Sequence, residues 1–458
     1  MKGILSLAAL AMSLAGTVAV GDARAEDGDL WTRDTLTGDW GGSRSSLSAH
    51  GIDIGLNYVG ETFANLSGGI DTGWSYEGRA EFSVDLDLDK LAGWRGGSAH
   101  ANVFQTHHVN GSPAVNYAAS LADPSNIEAR TATRLFSLWL QQTLFDDRVS
   151  IRAGQLAADD EFMVSDTAGY LINGTFGWPG LAAVNMTSGG PAYPLPTPGV
   201  RVEISPAKNV AFRGAVFSGD PAGEDCADDA QVCNRHGTTF STSGGALWMG
   251  ELQYAINQED GAPGLPGVYK IGGWYQTGNF ADQHYGLDAL GARVSLADAT
   301  AVDPYNHRGD HGIYAIADQT VWRSGARGLS IFARAGGAPS DRNLVSFYAD
   351  AGLALKGLVE GRDDDVLALG VAYAKMSGAA VDLDRDVRVL APDPSYPLRD
   401  HETVFEVSYT AQMTPWWTLQ PDVQYIVHPG GHVRDADDPA GAVAGNAFLA
   451  GLRTSITF

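Results

Sequence analysis

Hydrophobic and polar positions alternate along much of the chain, most clearly at its carboxy-terminal end. Between residues 446 and 458, Phe448, Leu452 and Ile456 fall on one face of an extended chain and Arg453 falls on the other, because successive side chains of a strand point in opposite directions. One face is apolar and the other is mostly small or polar. A soluble sandwich and a membrane barrel both contain such strands, so the rest of the chain has to distinguish them.

The alternation predicts about sixteen strands. They lie near residues 50–62, 76–88, 97–107, 133–144, 149–156, 199–205, 209–217, 246–256, 267–278, 312–322, 328–336, 346–356, 366–375, 402–412, 417–426 and 448–458. The alternation is ambiguous at 133–144 and 312–322, and we assign no faces there.

The connections between these strands alternate in length. Long segments follow the odd-numbered strands, including 107–132, 157–198, 218–245, 279–311, 376–401 and 427–447; short turns such as 145–148, 206–208 and 413–415 follow the even-numbered ones. Short turns at one end and long loops at the other are typical of an outer-membrane barrel, whereas a soluble sandwich has no reason to sort its loops by side. We therefore predict an all-β fold, a transmembrane antiparallel β-barrel.

One face of several strands is charged. Charged side chains are costly when they face lipid or a dry core, so this face is predicted to line a water-filled interior. The predicted pore-lining residues are Arg79, Glu81, Arg152, Arg201, Glu203, Arg213, Glu251, Trp274, Arg334 and Arg453, and Asp85, Asp87 and Asp89 are assigned to the same face.

The amino-terminal end has the pattern of an export signal. Lys2 precedes an apolar run over residues 4–20, and Ala23-Arg-Ala25 precedes an acidic pair, which is typical of a signal peptide rather than an anchoring helix. No later apolar run approaches the roughly 18 residues of a spanning helix. We divide the chain into a signal peptide (1–25), a periplasmic segment (26–49) with a short helix expected between residues 39 and 50, and a barrel (50–458).

The composition limits the kinds of partner that the protein can bind. The chain has 30 basic and 54 acidic residues and a formal net charge of −24, which disfavours nucleic acid and anionic membrane surfaces as partners. The 57 glycines, 16 tyrosines and 11 tryptophans fit a protein with many turns and aromatic residues at a membrane interface.

The two cysteines, Cys226 and Cys233, lie in an acidic segment. An exported protein meets an oxidising environment, so we expect a disulfide that staples an outer loop. A free thiol or a metal site is the alternative, for which His236 alone offers too few further ligands.

The longest loop, 157–198, combines acidic, aromatic and proline residues. Long connections are functional or disordered, and this composition favours order. We predict that the loop folds into the barrel as a constriction; the alternative is a loop lying over the rim. The constriction residues are Asp160, Glu161, Phe162, Trp178 and Tyr193.

Catalytic and metal-binding patterns are weak. His401-Glu402 lacks the second histidine of a zinc helix, no Gly-x-Ser-x-Gly is present, and the acidic runs at 85–89 and 382–386 lack the remainder of a calcium loop. We predict no catalytic residues, no cofactor and no metal ligands, and calcium binding by outer loops stays open.

Several segments resemble the OprB-type carbohydrate-selective porins. They are Leu36-Thr-Gly-Asp-Trp-Gly-Gly-Ser-Arg44, Arg152-Ala-Gly-Gln155, Asp160-Glu-Phe162, Pro198-Gly-Val-Arg201, Gln420-Pro-Asp-Val-Gln-Tyr-Ile426, Pro429-Gly-Gly431 and Gly451-Leu-Arg453. The resemblance implies a 16-stranded barrel in the outer membrane of a Gram-negative bacterium, with passive uptake of sugars past basic residues of the channel.

The expected function is thus sugar-selective diffusion into the periplasm. Charged side chains can replace the hydration shell of a sugar, and Trp274 or Phe332 could cover its apolar face. A general or organic-anion porin is the alternative within transport, and a barrel hydrolase is the alternative outside it. Carbohydrate solutes and outer-membrane lipid are the expected partners. The sequence leaves open which solute passes and whether the barrel acts as a monomer or a homo-oligomer.

Overall fold

Strands make up about half of the described residues. The computed structural model describes residues 29–223, 226–259, 261–390, 393–435, 438 and 441–458, and within these ranges sixteen long antiparallel strands form one closed sheet. The strands are β1 (Ile52–Gly69), β2 (Gly73–Asp87), β3 (Gly97–Val109), β4 (Ala132–Leu144), β5 (Val149–Leu156), β6 (Thr197–Ala207), β7 (Val210–Ser218), β8 (Ala246–Ile256), β9 (Gly267–Asp288), β10 (Ala301–Ser324), β11 (Arg327–Gly337), β12 (Val345–Lys356), β13 (Val366–Met376), β14 (His401–Thr414), β15 (Trp417–Val427) and β16 (Gly445–Thr457). The predicted antiparallel barrel of about sixteen strands is confirmed.

The sheet closes through its first and last strands. β1 pairs with β2 along one edge and with β16 along the other, where Glu61 lies directly opposite Arg453. The other long strands each pair with their neighbours in sequence. In a closed sheet the backbone N–H and C=O groups of each strand pair with those of neighbouring strands and need no water. A membrane requires this, because lipid offers no hydrogen bonds.

The two faces of the sheet differ as the alternation predicts. On β14, Phe405 and Val407 are each 47% exposed, whereas Glu406 between them is 2% exposed and Ser408 is 1% exposed. Large apolar side chains stand on the outer face of many other strands, and buried polar side chains stand on the inner face. An apolar outside and a polar inside are typical of a membrane barrel.

The connection between β9 and β10 differs from the prediction of a long loop at 279–311. β9 continues to Asp288 and β10 begins at Ala301, so most of this segment is a paired ribbon, extended by a three-residue strand, Arg293–Ser295. The β9–β10 pairing shifts register three times between residues 301 and 310. Such irregularities interrupt the alternation of faces, so the sequence pattern did not reveal the ribbon.

The helices are short and lie in the connections. They are α1 (Ser43–Ala49), α2 (Leu88–Ala92), α3 (Gly174–Gly177), α4 (Gly180–Asn185), α5 (Ala230–Cys233), α6 (Gly378–Leu390) and α7 (Pro429–His432), with further helical turns at Trp40–Gly42, Ala114–Ala118, Ala168–Tyr170 and Thr187–Gly189. In the described part of the chain, none is both long enough and apolar enough to cross a membrane.

The helix α2 corrects the assignment of Asp87 and Asp89 to the inner face. The Asp87 carboxylate accepts hydrogen bonds from the backbone N–H groups of Asp89 and Lys90 and so caps α2. Asp87 is the last residue of β2 and Asp89 lies in α2, so both stand at the turn end of the barrel rather than along its inner face. The strand pattern seemed to continue because an acidic helix cap happens to preserve the alternation.

The segment before β1 packs against the turn end of the barrel. The Leu36 backbone N–H donates to Thr457 O at 2.8 Å, Arg44 Nη2 donates to Phe458 O at 2.5 Å, and Trp416 Nε1 donates to Leu30 O at 2.7 Å. The helix α1 lies within the range where a short helix is expected. The expected signal peptide, 1–25, lies outside the described residues.

Cys226 and Cys233 form a disulfide in the connection between β7 and β8. The connection lies at the loop end of the barrel, outside the strand ladder.

Val407 provides a test of the outer face. It lies midway along β14, opposite Leu369 of β13 and Val423 of β15, and all three are at least 36% exposed. We expect Val407→Arg to destabilise the barrel by about 2–4 kcal/mol and to lower the yield of heat-modifiable, folded protein in membranes. The control Val407→Leu should assemble normally. Normal assembly of the arginine variant would contradict the assigned faces.

Candidate functional site

Two long connections meet the inner face of the barrel. They are the β3–β4 loop, residues 110–131, and the β5–β6 loop, residues 157–196. The side chains that hold them come from inward positions of many strands, and Glu251 and Arg334 are among the residues that the alternation assigned to the charged face.

Carboxylates of the barrel bind the backbone of the β5–β6 loop. Glu406 accepts hydrogen bonds from the N–H groups of Ile172 at 2.5 Å and Asn173 at 2.9 Å. Asp318 accepts hydrogen bonds from the Ser165 hydroxyl at 2.6 Å and the Thr167 N–H at 2.9 Å. Loop backbone without a sheet partner needs such acceptors when it is buried.

Arg334 anchors the same loop from β11. It forms an ion pair with Asp350 of β12, and its Nη atoms donate to the carbonyl oxygens of Met163 at 2.6 Å and Thr175 at 3.0 Å. Arg334 is only 2% exposed. A guanidinium whose donors are already used has little capacity left for a solute.

The prediction that Glu251, Trp274 and Arg334 line a water-filled lumen is therefore corrected. Glu251 accepts from the Met163 N–H at 3.2 Å and from the Tyr314 hydroxyl at 2.8 Å. Trp274 belongs to the hydrophobic core together with Phe332, the other aromatic residue expected to cover a sugar. The alternation identifies the inner face, but it carries no information about which part of that face a loop covers.

Glu161 of the β5–β6 loop lies among three arginines. Arg152 Nη1 and Arg201 Nε approach its carboxylate oxygens at 2.8 and 2.7 Å, and Arg213 Nε is 3.8 Å away. Arg213 also pairs with Glu203, its direct cross-strand partner. The cluster joins the loop to β5, β6 and β7 and neutralises part of the positive charge of the wall.

A cavity of about 800 Å³ lies between the two loops and strands β2–β5. Its lining includes the aromatic residues Phe104, Phe136, Trp139, Trp178 and Tyr193, and the charged residues Arg79, Glu81, Asp85, Asp123, Glu128, Arg152, Asp159, Asp160 and Arg453. Aromatic rings interspersed with charged groups match the mixed surface of a sugar, which has apolar faces and a rim of hydroxyls.

Trp139 and Tyr193 are held by their neighbours in the cavity wall. The Trp139 ring stacks with His100 at a centroid distance of 5.2 Å, and Arg152 Cζ lies 3.9 Å from the Trp139 centroid. The Tyr193 hydroxyl donates to Ile127 O at 2.7 Å, which joins the β5–β6 loop to the β3–β4 loop. Rings fixed in this way offer contact area with little loss of side-chain entropy.

Three polar atoms at the cavity wall are buried without a hydrogen-bond partner among the described residues. They are Arg79 Nε, Glu128 Oε2 and Asp159 Oδ1. A buried polar atom without a partner costs roughly 1–3 kcal/mol, so each such atom in a native protein calls for an explanation. The three atoms have almost no accessible surface, so a solute rich in hydroxyl groups reaches them only when their side chains turn toward the cavity.

Confinement in the barrel changes the acidity of the loop carboxylates. Desolvation, together with repulsion from Asp159 and Glu161, raises the pKa of Asp160 to about 7. Burial raises the pKa of Asp159 to about 6, against the opposing effect of the hydrogen bond from the Tyr193 N–H. Burial also raises the pKa of Asp123 to about 6. These groups therefore change charge close to neutral pH.

The structure divides the predicted site residues into three groups. Those that border the cavity are Arg79, Glu81, Arg152, Arg453, Asp160, Trp178 and Tyr193. Arg201, Glu203, Arg213 and Glu161 form the neighbouring charge cluster. The third group is buried and consists of Phe162, Glu251, Trp274 and Arg334. The prediction for Phe162 is corrected, because its side chain packs edge-on against Phe217 and contributes to the core rather than to a constriction.

Sequence reasoning missed Trp139, His100, Asn102, Glu128 and Asp159. Trp139 lies on β4, whose alternation is ambiguous, and the β3–β4 pairing shifts register between Ala101 and Val103. The paired acids at 159–160 were a usable signal for Asp159. Glu128 had none, since it is an isolated residue in a loop.

Comparisons with known proteins agree with this architecture. Residues 71–458 match the model of the carbohydrate-selective porin, OprB family. Porin B of Pseudomonas aeruginosa is 28% identical over 447 residues, covering 92% of this chain and 91% of that protein. The high-pH structure of Pseudomonas putida OprB superposes with a TM-score of 0.80 at 25% identity, covering 93% of this chain and 99% of that one.

The family match covers most of the chain, and the closed barrel fits an outer-membrane channel rather than an enzyme. The chain belongs to the OprB family of carbohydrate-selective porins and is an outer-membrane porin for the passive diffusion of sugars into the periplasm.

Proposed function

We propose that the cavity between the two loops is the sugar-binding constriction of the pore. The observation that carries this proposal is the set of partnerless polar atoms, Arg79 Nε, Glu128 Oε2 and Asp159 Oδ1, beside the rings of Trp139 and Tyr193. A sugar hydroxyl both donates and accepts, so a sugar can supply partners to these atoms when their side chains turn toward the cavity. The ring of Trp178, which also lines the cavity, can cover the apolar face of the same sugar.

The size of the cavity supports a small sugar as the solute. Its volume of about 800 Å³ falls within the range of roughly 300–1,000 Å³ found for small-molecule sites. Binding in a channel has to be weak enough for release. The sugar therefore keeps part of its water shell and exchanges only some hydrogen bonds with the wall.

The charges at the cavity favour a neutral sugar over an organic anion. Among the described residues, six carboxylates and three arginines border it. One of the arginines, Arg152, is already paired with Glu161. Above the pKa values of its acids the cavity is negative, and an anion is repelled.

We further propose that the β5–β6 loop narrows the channel and that one chain contains a complete pore. The loop is bound to carboxylates and Arg334 on the inner face of β8, β10, β11 and β14. The cavity lining comes from a single chain, so association of barrels is not required for conduction.

Replacing Arg79 tests the sugar site. Arg79→Met keeps much of the apolar contact with Phe104 and Tyr193 but removes the unpartnered donor. We expect the sugar concentration that half-blocks ion current in planar bilayers to rise about tenfold, because a hydrogen bond to a charged group contributes about 1.5 kcal/mol or more. Arg323→Met, an exposed arginine at the turn end, is the control. Unchanged block by several sugars would exclude Arg79 from the site.

Replacing Arg334 tests the loop. Arg334→Met leaves Asp350 buried without its cation, which destabilises the attached structure by about 3–5 kcal/mol, and the loop should detach. We expect larger single-channel conductance and weaker sugar block, with heat-modifiability retained. Arg385→Met, which breaks an exposed ion pair on α6, should leave conductance unchanged. If the β5–β6 loop of Arg334→Met becomes protease-sensitive while the channel keeps its normal conductance, the loop does not narrow the pore.

The acids at the cavity predict a pH-dependent ion preference. Above pH 7, Asp123, Asp159 and Asp160 are ionised and attract cations; as the pH falls through about 7 and then 6 they become neutral. We therefore expect the cation-to-anion permeability ratio to fall between pH 8 and pH 5, well above the pKa near 3.9 of a free aspartate. Asp160→Asn should remove the part of the change near pH 7, and Asp146→Asn in a short turn should not. A ratio constant over this range would refute the prediction.

A further inference from the structure

Three potential metal ligands meet at the loop end of the barrel, away from the cavity. Asp400, His428 and His432 each present one ligand atom, and these atoms lie within 4.8 Å of one another. Asp400 Oδ1 is 2.9 Å from His428 Nδ1, and the rings of His428 and His432 stack at a centroid distance of 4.4 Å. Asp400 immediately precedes β14. His428 precedes α7 and His432 is its last residue, in the connection between β15 and β16.

The backbone between the two histidines has an unusual conformation. His428 and His432 both have left-handed φ angles, +50° and +77°. Between them, a Cβ on Gly430 would lie 2.6 Å from Val433 Cγ2, and one on Gly431 would lie 2.6 Å from Met376 Sδ. A left-handed conformation costs a non-glycine residue about 1 kcal/mol or more. This strained turn brings the two imidazoles together.

Hydrogen bonds hold the three ligands in place. The Asp400 N–H donates to Gly431 O at 3.1 Å, and the His428 N–H donates to Asn446 Oδ1 at 3.0 Å. The Gly430 N–H donates to Glu402 at 2.7 Å. The two connections that supply the ligands are therefore already fastened to each other, as a preorganised site requires.

We propose that Asp400, His428 and His432 form a site for a divalent transition metal, with Zn²⁺ as the best-fitting ion. Two imidazole nitrogens and one carboxylate oxygen form a donor set suited to zinc, whereas calcium takes oxygen ligands only. Zinc bonds of about 2 Å in a tetrahedral site place ligand atoms roughly 3.3 Å apart, so small side-chain rotations suffice.

His401 is positioned to complete the set. Its Nδ1 lies 3.4 Å from Asp400 Oδ1, and its ring centroid is 4.9 Å from that of His428. Zinc sites commonly have four ligands, with water as the fourth where the protein supplies three. His401 or a water molecule fills that position.

Metal binding would reinforce the outer loops. Glu402 follows His401 in β14 and binds the N–H groups of Gly430, Leu121 and Ala122. A metal ion at the site therefore links the connection before β14 to the connection after β15. Glu402, which binds the β3–β4 loop, lies beside this link.

Calorimetry with the purified full-length protein, free of a histidine tag, tests the site. On titration with zinc chloride at pH 7.5 we expect one ion per chain, with at least a tenfold loss of affinity in His428→Ala and His432→Ala. His50→Ala, an exposed histidine at the turn end, should bind like the wild type. Absence of zinc binding by the wild type, or binding retained by both variants, overturns the proposal.

Proteolysis gives an independent readout. Zn²⁺ should slow tryptic cleavage after Arg434, two residues beyond the site, in the wild type and not in the two histidine variants. Heat-modifiability of each variant verifies that the barrel is folded. Protection by calcium that survives both histidine substitutions would identify an oxygen-ligand site instead and would also overturn the proposal.

Discussion

The closure of the strand ladder is the constraint on which the rest of the protein depends. Lipid supplies no hydrogen bonds, so each spanning strand needs a neighbour on both sides, and β16 has to return to β1. At that seam Glu61 and Arg453 lie opposite each other and form an ion pair on the inner face. Once the ladder is closed, each side chain of a strand faces either lipid or the interior, and charge can be placed only inside.

Charged side chains on the inner face line the cavity in one part of the barrel and bind loop backbone in another. Around β8–β14, Glu251, Asp318, Arg334 and Glu406 bind the backbone of the β5–β6 loop. A buried carboxylate is stable only when hydrogen bonds compensate its lost hydration, and an irregular loop has N–H groups that need acceptors. Each requirement satisfies the other, so the polar inner face that suits a pore also holds the β5–β6 loop.

The sequence predicted the sixteen strands because strand faces depend on a period of two, which local residues determine. It did not predict the β9–β10 ribbon, where bulges break the period. It also did not predict which inward charged side chains a loop covers. Arg79 and Arg334 look alike in the sequence, since both stand on inward positions of alternating strands. Only the path of a loop distant in sequence decides that Arg334 is covered and that Arg79 keeps a free donor.

The same distinction bears on the proposed preference of the charged cavity for an uncharged solute. The arginines near Glu161 and Asp350 are paired, so their positive charge is largely cancelled. What the cavity still lacks is hydrogen-bond partners at Arg79, Glu128 and Asp159. A polyol that enters the cavity can offer them hydroxyl groups when their side chains turn toward it. Because a sugar gives up its own hydration in the exchange, the net gain is small, and the solute both enters and leaves.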